Sequence, residues 1–270
     1  METIAPQRWS ARIGSRLDED GYVRLPGALD GSMVARLTDA VDDVWDRRRN
    51  GPPAHGVDPL HLLAFLREDA RFVPLLDLRP VLDVIVEALG TNIFMYHCHL
   101  DVHPPQLARP TPWMWHQDGG VQNRDLESVP RPRLSLKVAY FLTDLTEPGR
   151  GNFMVLPGSH RRNAIERPPD DRNDLPGAVP ILAEPGDAVI FDRRLWHMRS
   201  DNRSALTRKA LFLAYTYRWI RPRDELDLPS TFVARTTPVQ RQLAGVDTDD
   251  PIRFWMPDRE PLPLAATETA

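Results

Sequence analysis

Apolar positions in the first ninety residues recur at helical intervals, and from residue 92 onward they fall into short runs divided by turns. Between Asp30 and Asn50, Met33, Val34, Leu37, Val41, Val44 and Trp45 share one face. Asp30 stands where a helix cap belongs, and Gly51-Pro52-Pro53 ends the pattern. Pro59 to Asp69 and Pro80 to Leu89 read as two further helices, the second closed by Gly90. The segments 92–102, 134–142, 152–156, 178–182, 187–191 and 207–217 then read as strands, most of them rich in β-branched or aromatic residues. Glu147-Pro148-Gly149, Pro157-Gly158-Ser159 and Glu184-Pro185-Gly186-Asp187 supply turns between them. Helices followed by many short strands predict a mainly β chain with flanking helices, its strands forming a sandwich or barrel. Arg161 to Gly177, with four acids, four arginines and three prolines, reads as a solvated loop. The Pro-rich tail after Trp219 holds one short helix at Pro238–Ala244.

Composition narrows the class. The length of 270 residues suits one large domain, and neither an internal repeat nor a dividing linker is visible. A net charge of -4 gives no reason to expect nucleic acid or an anionic membrane as partner. No run of 18 apolar residues occurs, and the first residues lack the apolar stretch of a secretion signal. A single cysteine, Cys98, excludes an internal disulfide and fits a reducing cytoplasm. These bulk properties fit a soluble, cytoplasmic enzyme, with a monomer or homodimer as the expectation.

The candidate chemistry lies in His116-Gln117-Asp118, with His197 79 residues beyond the aspartate and Arg208 eleven beyond that. Two histidines and a carboxylate form the ligand set of a mononuclear non-haem Fe(II) site, which leaves coordination positions open. The i, i+2 spacing puts His116 and Asp118 on one side of an extended segment, with Gln117 pointing away. The third ligand must arrive from a distant strand.

These residues belong to a larger pattern. Asp20-Gly21-Tyr22-Val23-Arg24-Leu25-Pro26-Gly27 comes first, then Trp115-His116-Gln117-Asp118, then Asn152-Phe153-Met154-Val155-Leu156-Pro157-Gly158-Ser159-His160. Pro185-Gly186-Asp187-Ala188 follows, and then His197, Asn202 and Arg208. In this order they resemble the phytanoyl-CoA dioxygenase family of Fe(II)/2-oxoglutarate oxygenases, over roughly residues 18 to 220. The resemblance implies a double-stranded β-helix (a jelly roll, cupin-like) with helices outside, as one domain over 1–270. Within it, 1–90 would be mostly helical, 91–218 the jelly-roll core, and 219–270 an extension packed on that core. It implies His116, Asp118 and His197 as iron ligands and Arg208 as the arginine that binds 2-oxoglutarate, with O2 as the other co-substrate. The planar, permanently charged guanidinium suits the far carboxylate of 2-oxoglutarate. Asn202 would support the turn between His197 and Arg208. Where the family often carries Ser or Thr two residues after the distal histidine, Arg199 stands here. Related halogenases have a small residue in place of the carboxylate, so Asp118 favours hydroxylation over halogenation. A second hydrogen abstraction would instead give desaturation or ring closure.

Other residues carry two readings. His97, His99, Asp101 and His103 alternate on one strand, as a second metal site or, preferred here, as a polar face lining the barrel interior. His103 either touches substrate or co-substrate or stands at the surface. Lys137, in an apolar strand, snorkels or contacts co-substrate or substrate. Trp113, Trp115 and Trp196 wall the pocket or simply pack, and His160 holds its turn. Arg47-Arg48-Arg49 offers phosphate contacts for a CoA thioester or, more commonly, a solvated helix end. The favoured substrate is a small natural product, under a lid drawn from 119–132, 161–177 and the tail; Arg124, Arg131 and Arg133 hint at a polar or anionic group on it.

Overall fold

In the computed structural model, the described residues are 15–48, 59–106, 112–170, 172–246 and 262–268. The longest strands carry the design. β3 (Ile93–His103), β4 (Ser135–Phe141) and β9 (Arg208–Tyr217) lie side by side, and the full antiparallel sheet adds β1 (Tyr22–Leu25), β7 (Ala188–Asp192) and β2 (Leu60–Leu63). Its order is β1-β7-β4-β9-β3-β2. A smaller sheet, β6 (Val179–Pro180), β5 (Phe153–Val155) and β8 (His197–Arg199), faces it. This is the mainly antiparallel β architecture with flanking helices that the strand pattern predicts, of the jelly-roll type that the resemblance implies.

Side-chain alternation separates two cores. On β3, Ile93, Met95, Cys98, Leu100 and Val102 turn outward, joined by Leu136, Val138 and Tyr140 of β4 and Leu211, Leu213 and Tyr215 of β9. Against this face packs α1 (Gly31–Arg48) through Leu37, Val41, Val44 and Trp45. α2 (Val81–Leu89) and a 3-10 helix at Ala70–Asp77 cover the rest. Burying each such side chain contributes about 1.5–3 kcal/mol, which holds the helical layer on the sheet. The inner core, between the sheets, is smaller and aromatic: Phe141, Phe153, Phe191 and Phe212 with Val155, Val189 and Leu195.

Asp30 caps α1 as expected, its Oδ1 accepting from the Met33 amide at 2.8 Å. α2 runs into Gly90 at φ 76°, and α3 (Val121–Asp125) forms part of the segment after the His-Gln-Asp triplet. α4 (Ser230–Val233), α5 (Pro238–Ala244) and α6 (Pro263–Glu268) complete the described chain. α5 has a capping box between Thr237 and Gln240. One expectation needs correction. Pro59 to Asp69 is not a helix: Leu60–Leu63 pairs antiparallel with β3 at Leu100 and its neighbours, and a 3-10 turn follows at Phe65–Arg67. Pairing with a free sheet edge outweighs an apolar run too short to fix its own period. The short strands β1 and β8 were likewise not evident from the pattern. Asn50, Arg49 and the Gly51-Pro52-Pro53 stop lie outside the described residues.

Candidate metal centre

His116 and His197 face one another across a two-stranded bridge. The His116 amide donates to the His197 carbonyl at 3.1 Å and the His197 amide returns the bond at 3.0 Å. Such a pair exchanges both backbone hydrogen bonds and turns both side chains to the same face. Asp118, two residues on, keeps that face, and its amide donates to the Arg193 carbonyl at 2.9 Å. One ligand atom each from His116, Asp118 and His197 lies within 4.8 Å of the others.

Both imidazoles are oriented for metal. Nδ1 of His116 is 2.8 Å from the Met114 carbonyl, and Nδ1 of His197 is 2.8 Å from the Leu195 carbonyl. A carbonyl only accepts, so each Nδ1 carries a proton, which in a neutral ring leaves Nε2 its lone pair. His197 is 4% exposed, whereas His116 stands at the open side. Burial first, and His116 second, push the His197 pKa down to about 3, so it is neutral at physiological pH. For Asp118 burial pushes the pKa up, but Lys137, His197 and His116 together hold it well below the ordinary carboxylate range. A neutral His197 and an ionised Asp118 are protonation states that ligation requires.

Lys137 lies at this carboxylate. Its Nζ donates to Asp118 Oδ2 at 3.3 Å and sits 5.6 Å from the Phe212 ring centre. It does not snorkel to solvent. Gln117 points away as expected: its Nε2 bonds the Arg162 and Arg194 carbonyls, and its Oε1 accepts from Arg131 Nη1 at 2.6 Å.

Arg208 occupies the start of β9 opposite His103. Its side chain is 1% exposed, and its Nε and Nη1 have no hydrogen-bond partner. The nearest carboxylate, Asp101, is 3.9 Å away. Burial, reinforced by Arg199, pushes the Arg208 pKa down to about 10 even though Asp101 opposes it. Gly151, at φ 71°, makes room: a Cβ there would come within 2.9 Å of Arg208 Cδ. Asn202 is fully buried and ties this corner, with Nδ2 donating to the carbonyls of His103 at 2.9 Å and Leu206 at 2.7 Å.

The alternating residues of β3 do line the interior. His97 Nδ1 is 2.7 Å from Asp224 Oδ2, and His99 Nδ1 is 3.1 Å from His97 Nε2. His99 stacks on Phe212 at 4.4 Å. Asp101 is 2.7 Å from His61 Nδ1 and 3.8 Å from His103 Nε2. His61, His99 and Asp101 also converge within 4.8 Å. Asp101 is already hydrogen-bonded there and faces Arg208, so the arrangement is that of a satisfied polar ladder. His61 and Asp224 escaped sequence reasoning; His61 was masked by its helical reading, and Asp224 sits in an exposed-looking Arg-Asp-Glu run.

The tryptophans pack on the far side of the small sheet. Trp115 joins Leu156 and Met198, with Trp113 and Trp196 against them. Trp115 Nε1 donates to the Asn173 carbonyl at 2.9 Å and Trp196 Nε1 to the Arg162 carbonyl at 3.2 Å, so they clamp the 161–177 loop. Ordinary packing is the correct reading. The arginines thought to hint at substrate are internally paired: Arg131 with Glu127, Arg133 with Asp18 and Asp192, and Arg124 with Asp125. Arg193, which the sequence did not single out, is instead 1% exposed beneath the 119–125 segment, its Nη1 3.3 Å from Gln122 Oε1. A cavity of about 540 Å³ opens elsewhere, beside Phe94, Arg218, Arg223 and Asp224, and no triad residue lines it.

The model of the family described as phytanoyl-CoA dioxygenase (PhyH) matches residues 17–210. The chain is 25% identical to "Dioxygenase cdmD" of Talaromyces verruculosus over 88% of its own length and 85% of that protein's. Among solved structures it resembles the epimerase SnoN, in complex with Fe3+, alpha ketoglutarate and nogalamycin RO. The TM-score is 0.61 at 17% identity, covering 80% of this chain and 87% of that one. It also resembles the alpha ketoglutarate dependent carbocyclase SnoK from nogalamycin biosynthesis, with a TM-score of 0.59 at 21% identity over 87% and 92%.

Proposed function

The chain belongs to the phytanoyl-CoA dioxygenase (PhyH) family, and from that premise we propose that His116, Asp118 and His197 hold Fe(II) while Arg208 binds 2-oxoglutarate. The enzyme is a 2-oxoglutarate-dependent dioxygenase with Fe(II), 2-oxoglutarate and O2 as its cofactor and co-substrates, acting on a small molecule of secondary metabolism. The observation that carries the ligand assignment is the convergence of three ligand atoms within 4.8 Å, with both imidazole Nδ1 protons committed to carbonyls. When bound, the metal with 2-oxoglutarate and O2 supplies oxidation of an unactivated C–H bond, coupled to release of succinate and CO2.

The chain's own groups do the positioning. Met114 and Leu195 carbonyls fix the imidazole tautomers, as outer partners of metal-bound histidines do. Lys137 steadies the Asp118 carboxylate from the side away from solvent. Arg208, with His103 and Asp101 around it, receives the far carboxylate of the co-substrate at a point where its unpaired nitrogens are shielded from water. Phe153, Phe191 and Phe212 give the dry wall beside His197 and Lys137. The described residues form a single oxygenase domain in this reading.

The outcome favoured is hydroxylation, because Asp118 fills the position that halide would need. SnoN and SnoK, an epimerase and a carbocyclase on the same fold, support the second outcome of hydrogen removal without oxygen insertion. A CoA thioester is disfavoured, since Arg47 bonds the Glu68 carbonyl and Arg48 pairs with the Glu68 carboxylate. No helix of the described residues is long and apolar enough to cross a membrane.

The test is anaerobic addition of Fe(II) and 2-oxoglutarate, which should give a weak visible charge-transfer band, followed by succinate release on admitting air. His116→Ala and Asp118→Ala should lose both signals. A wild-type protein with neither signal ends the proposal, and product mass against candidate substrates separates hydroxylation from oxygen-free oxidation.

A further inference from the structure

Arg208 marks one end of the inner face and Arg193 the other. Along β9, Arg208 lies opposite His103, Ala214 opposite Lys137 and Thr216 opposite Ser135. The Arg208 guanidinium is 5.9 Å from the centre of the Phe212 ring, and Lys137 Nζ, which bonds Asp118, is 5.6 Å from it. Two residues from Lys137 on β4, the Ser135 carbonyl accepts from the Arg193 amide at 3.3 Å. The order along the face is therefore Arg208, then Lys137 with Asp118, then Ser135 with Arg193. A 2-oxoglutarate reaching from the metal to Arg208 leaves the Arg193 side for the primary substrate.

Contacts hold Arg193 beside the metal ligands. It lies two residues beyond Phe191, whose ring is 4.8 Å from that of His197. Its carbonyl accepts from the Asp118 amide at 2.9 Å, and its Nη1 packs so closely on Gly119 that a Cβ there would collide with it. The guanidinium is buried, yet no carboxylate among the described residues pairs with it. Neighbouring Asp192 is taken by Arg133 and Arg194, each at 2.7 Å. What Arg193 has instead is two neutral acceptors at long range, Gln122 Oε1 at 3.3 Å from Nη1 and the Pro132 carbonyl at 3.5 Å from Nη2. Its Nε has no partner. Its cover is α3, which contributes no buried residue of its own. Two hydroxyls share this end of the face, those of Tyr96 and Ser135, 3.3 Å apart.

A buried charge is ordinarily paired, so this one is an anion site without its anion. Nη1 is occupied in holding the segment after Asp118. Nε and Nη2 form the other edge of the planar fork, the edge that takes a carboxylate in bidentate fashion. We propose that Arg193 binds a carboxylate of the primary substrate through that edge, so that the enzyme acts on a small carboxylic acid whose acidic group lies across the metal centre from Arg208. This rests on the metal and co-substrate reading above and adds to it the chemical class of the substrate.

The experiment uses acetate with acetamide and benzoate with benzamide, pairs of one shape that differ in charge. Each is titrated anaerobically into the full-length protein loaded with Fe(II) and saturated with 2-oxoglutarate. A shift of the charge-transfer band, as opposed to its bleaching, reports occupancy beside the metal. In at least one pair the carboxylate should bind about tenfold or more tighter than the amide, the effect of one charge-assisted hydrogen bond. Arg193→Met should bring the carboxylate down to the amide and leave the 2-oxoglutarate midpoint within about twofold of the wild type. Arg193→Lys, with the charge but not the fork, should recover part of the preference. A preference that survives Arg193→Met overturns the proposal, and so does a wild type that prefers the carboxylate in neither pair. If methionine also displaces the 2-oxoglutarate midpoint, Arg193→Gln decides, since it keeps a donor for the loop and removes the charge. A surviving preference or a displaced midpoint in that variant makes Arg193 structural and overturns the proposal. If the wild type gives no band with 2-oxoglutarate, the co-substrate reading has failed and the proposal falls with it.

Discussion

Replacing Arg208 by methionine should separate what this residue does for the fold from what it does for the ligand. Its guanidinium is 1% exposed and leaves Nε and Nη1 without partners. An unpaired buried donor costs about 1–3 kcal/mol, so the two cost about 2–6 kcal/mol in the ligand-free protein. Against this stands Asp101 at 3.9 Å. At an effective dielectric constant of about 20 that attraction is about 4 kcal/mol, and desolvation of both groups consumes much of it. Methionine fills similar space without a polar atom and keeps contact with Phe212. Asp101 keeps its bond with His61 at 2.7 Å and the two unpaired donors are removed, so ligand-free Arg208→Met should unfold at a urea concentration close to that of the wild type. On the ligand side the loss is large. Two charge-assisted bonds at about 1.5–3 kcal/mol each correspond to a loss of about 10²–10⁴ in 2-oxoglutarate affinity. Urea unfolding by tryptophan fluorescence reads the first quantity, and anaerobic Fe(II) titration reads the second. A variant that loses more than about 2 kcal/mol of ligand-free stability yet binds 2-oxoglutarate normally would refute the argument and make Arg208 a structural residue.

Three further outcomes follow from the same geometry. Fe(II) at about 100 times its Kd should raise unfolding stability by about 2.7 kcal/mol in anaerobic melts, with the gain removed by chelator and absent in Asp118→Ala; a gain that survives in Asp118→Ala would place the metal elsewhere. Asn202→Ala should cost about 2 kcal/mol or more, because the carbonyls of His103 and Leu206 lose their buried donor; an unchanged urea midpoint would show that water replaces it. Stability should also fall as pH drops from about 7 to 5. Burial depresses the pKa of His97, His99, His103, His160 and His197 below 6.5 in the folded state. Below that value the unfolded chain takes up protons that the folded chain refuses, and unfolding is favoured; His61, with a raised pKa, opposes this as one group. A urea midpoint flat between pH 7.5 and 5.5 would contradict those environments.

What the sequence disclosed follows from what was locally encoded. α1 and α5 carry their own period and caps, and β3, β4 and β9 are long enough to declare themselves. β1, β2 and β8 have three or four residues each, and their conformation is imposed by the strand beside them. His116, Asp118, His197 and Arg208 could be picked out as candidates because few residue types suit such a site and their spacing is distinctive, and the fold brings the first three together. Facing is another matter. Trp115 and His116 are neighbours, yet one packs outside the small sheet and the other turns in, and only the pairing of His116 with His197 decides which. Nothing in the sequence set Arg193 apart from the other arginines of the chain; its burial depends on contacts with Gln122 and Pro132, more than fifty residues away.

The reciprocal backbone bonds between His116 and His197 have a consequence for how such a protein can change. The separation of the two imidazoles is set by the repeat of the peptide ladder, a quantity that no side-chain replacement elsewhere can alter. Only a slip in register would disturb it, and that would turn the ring on the shifted segment out of the barrel while its partner stayed in. Reactivity and selectivity are thus stored in different media, one in main-chain geometry and the other in the walls and loops. The loops can be exchanged wholesale, in evolution or at the bench, around a coordination frame that does not need to be rediscovered each time.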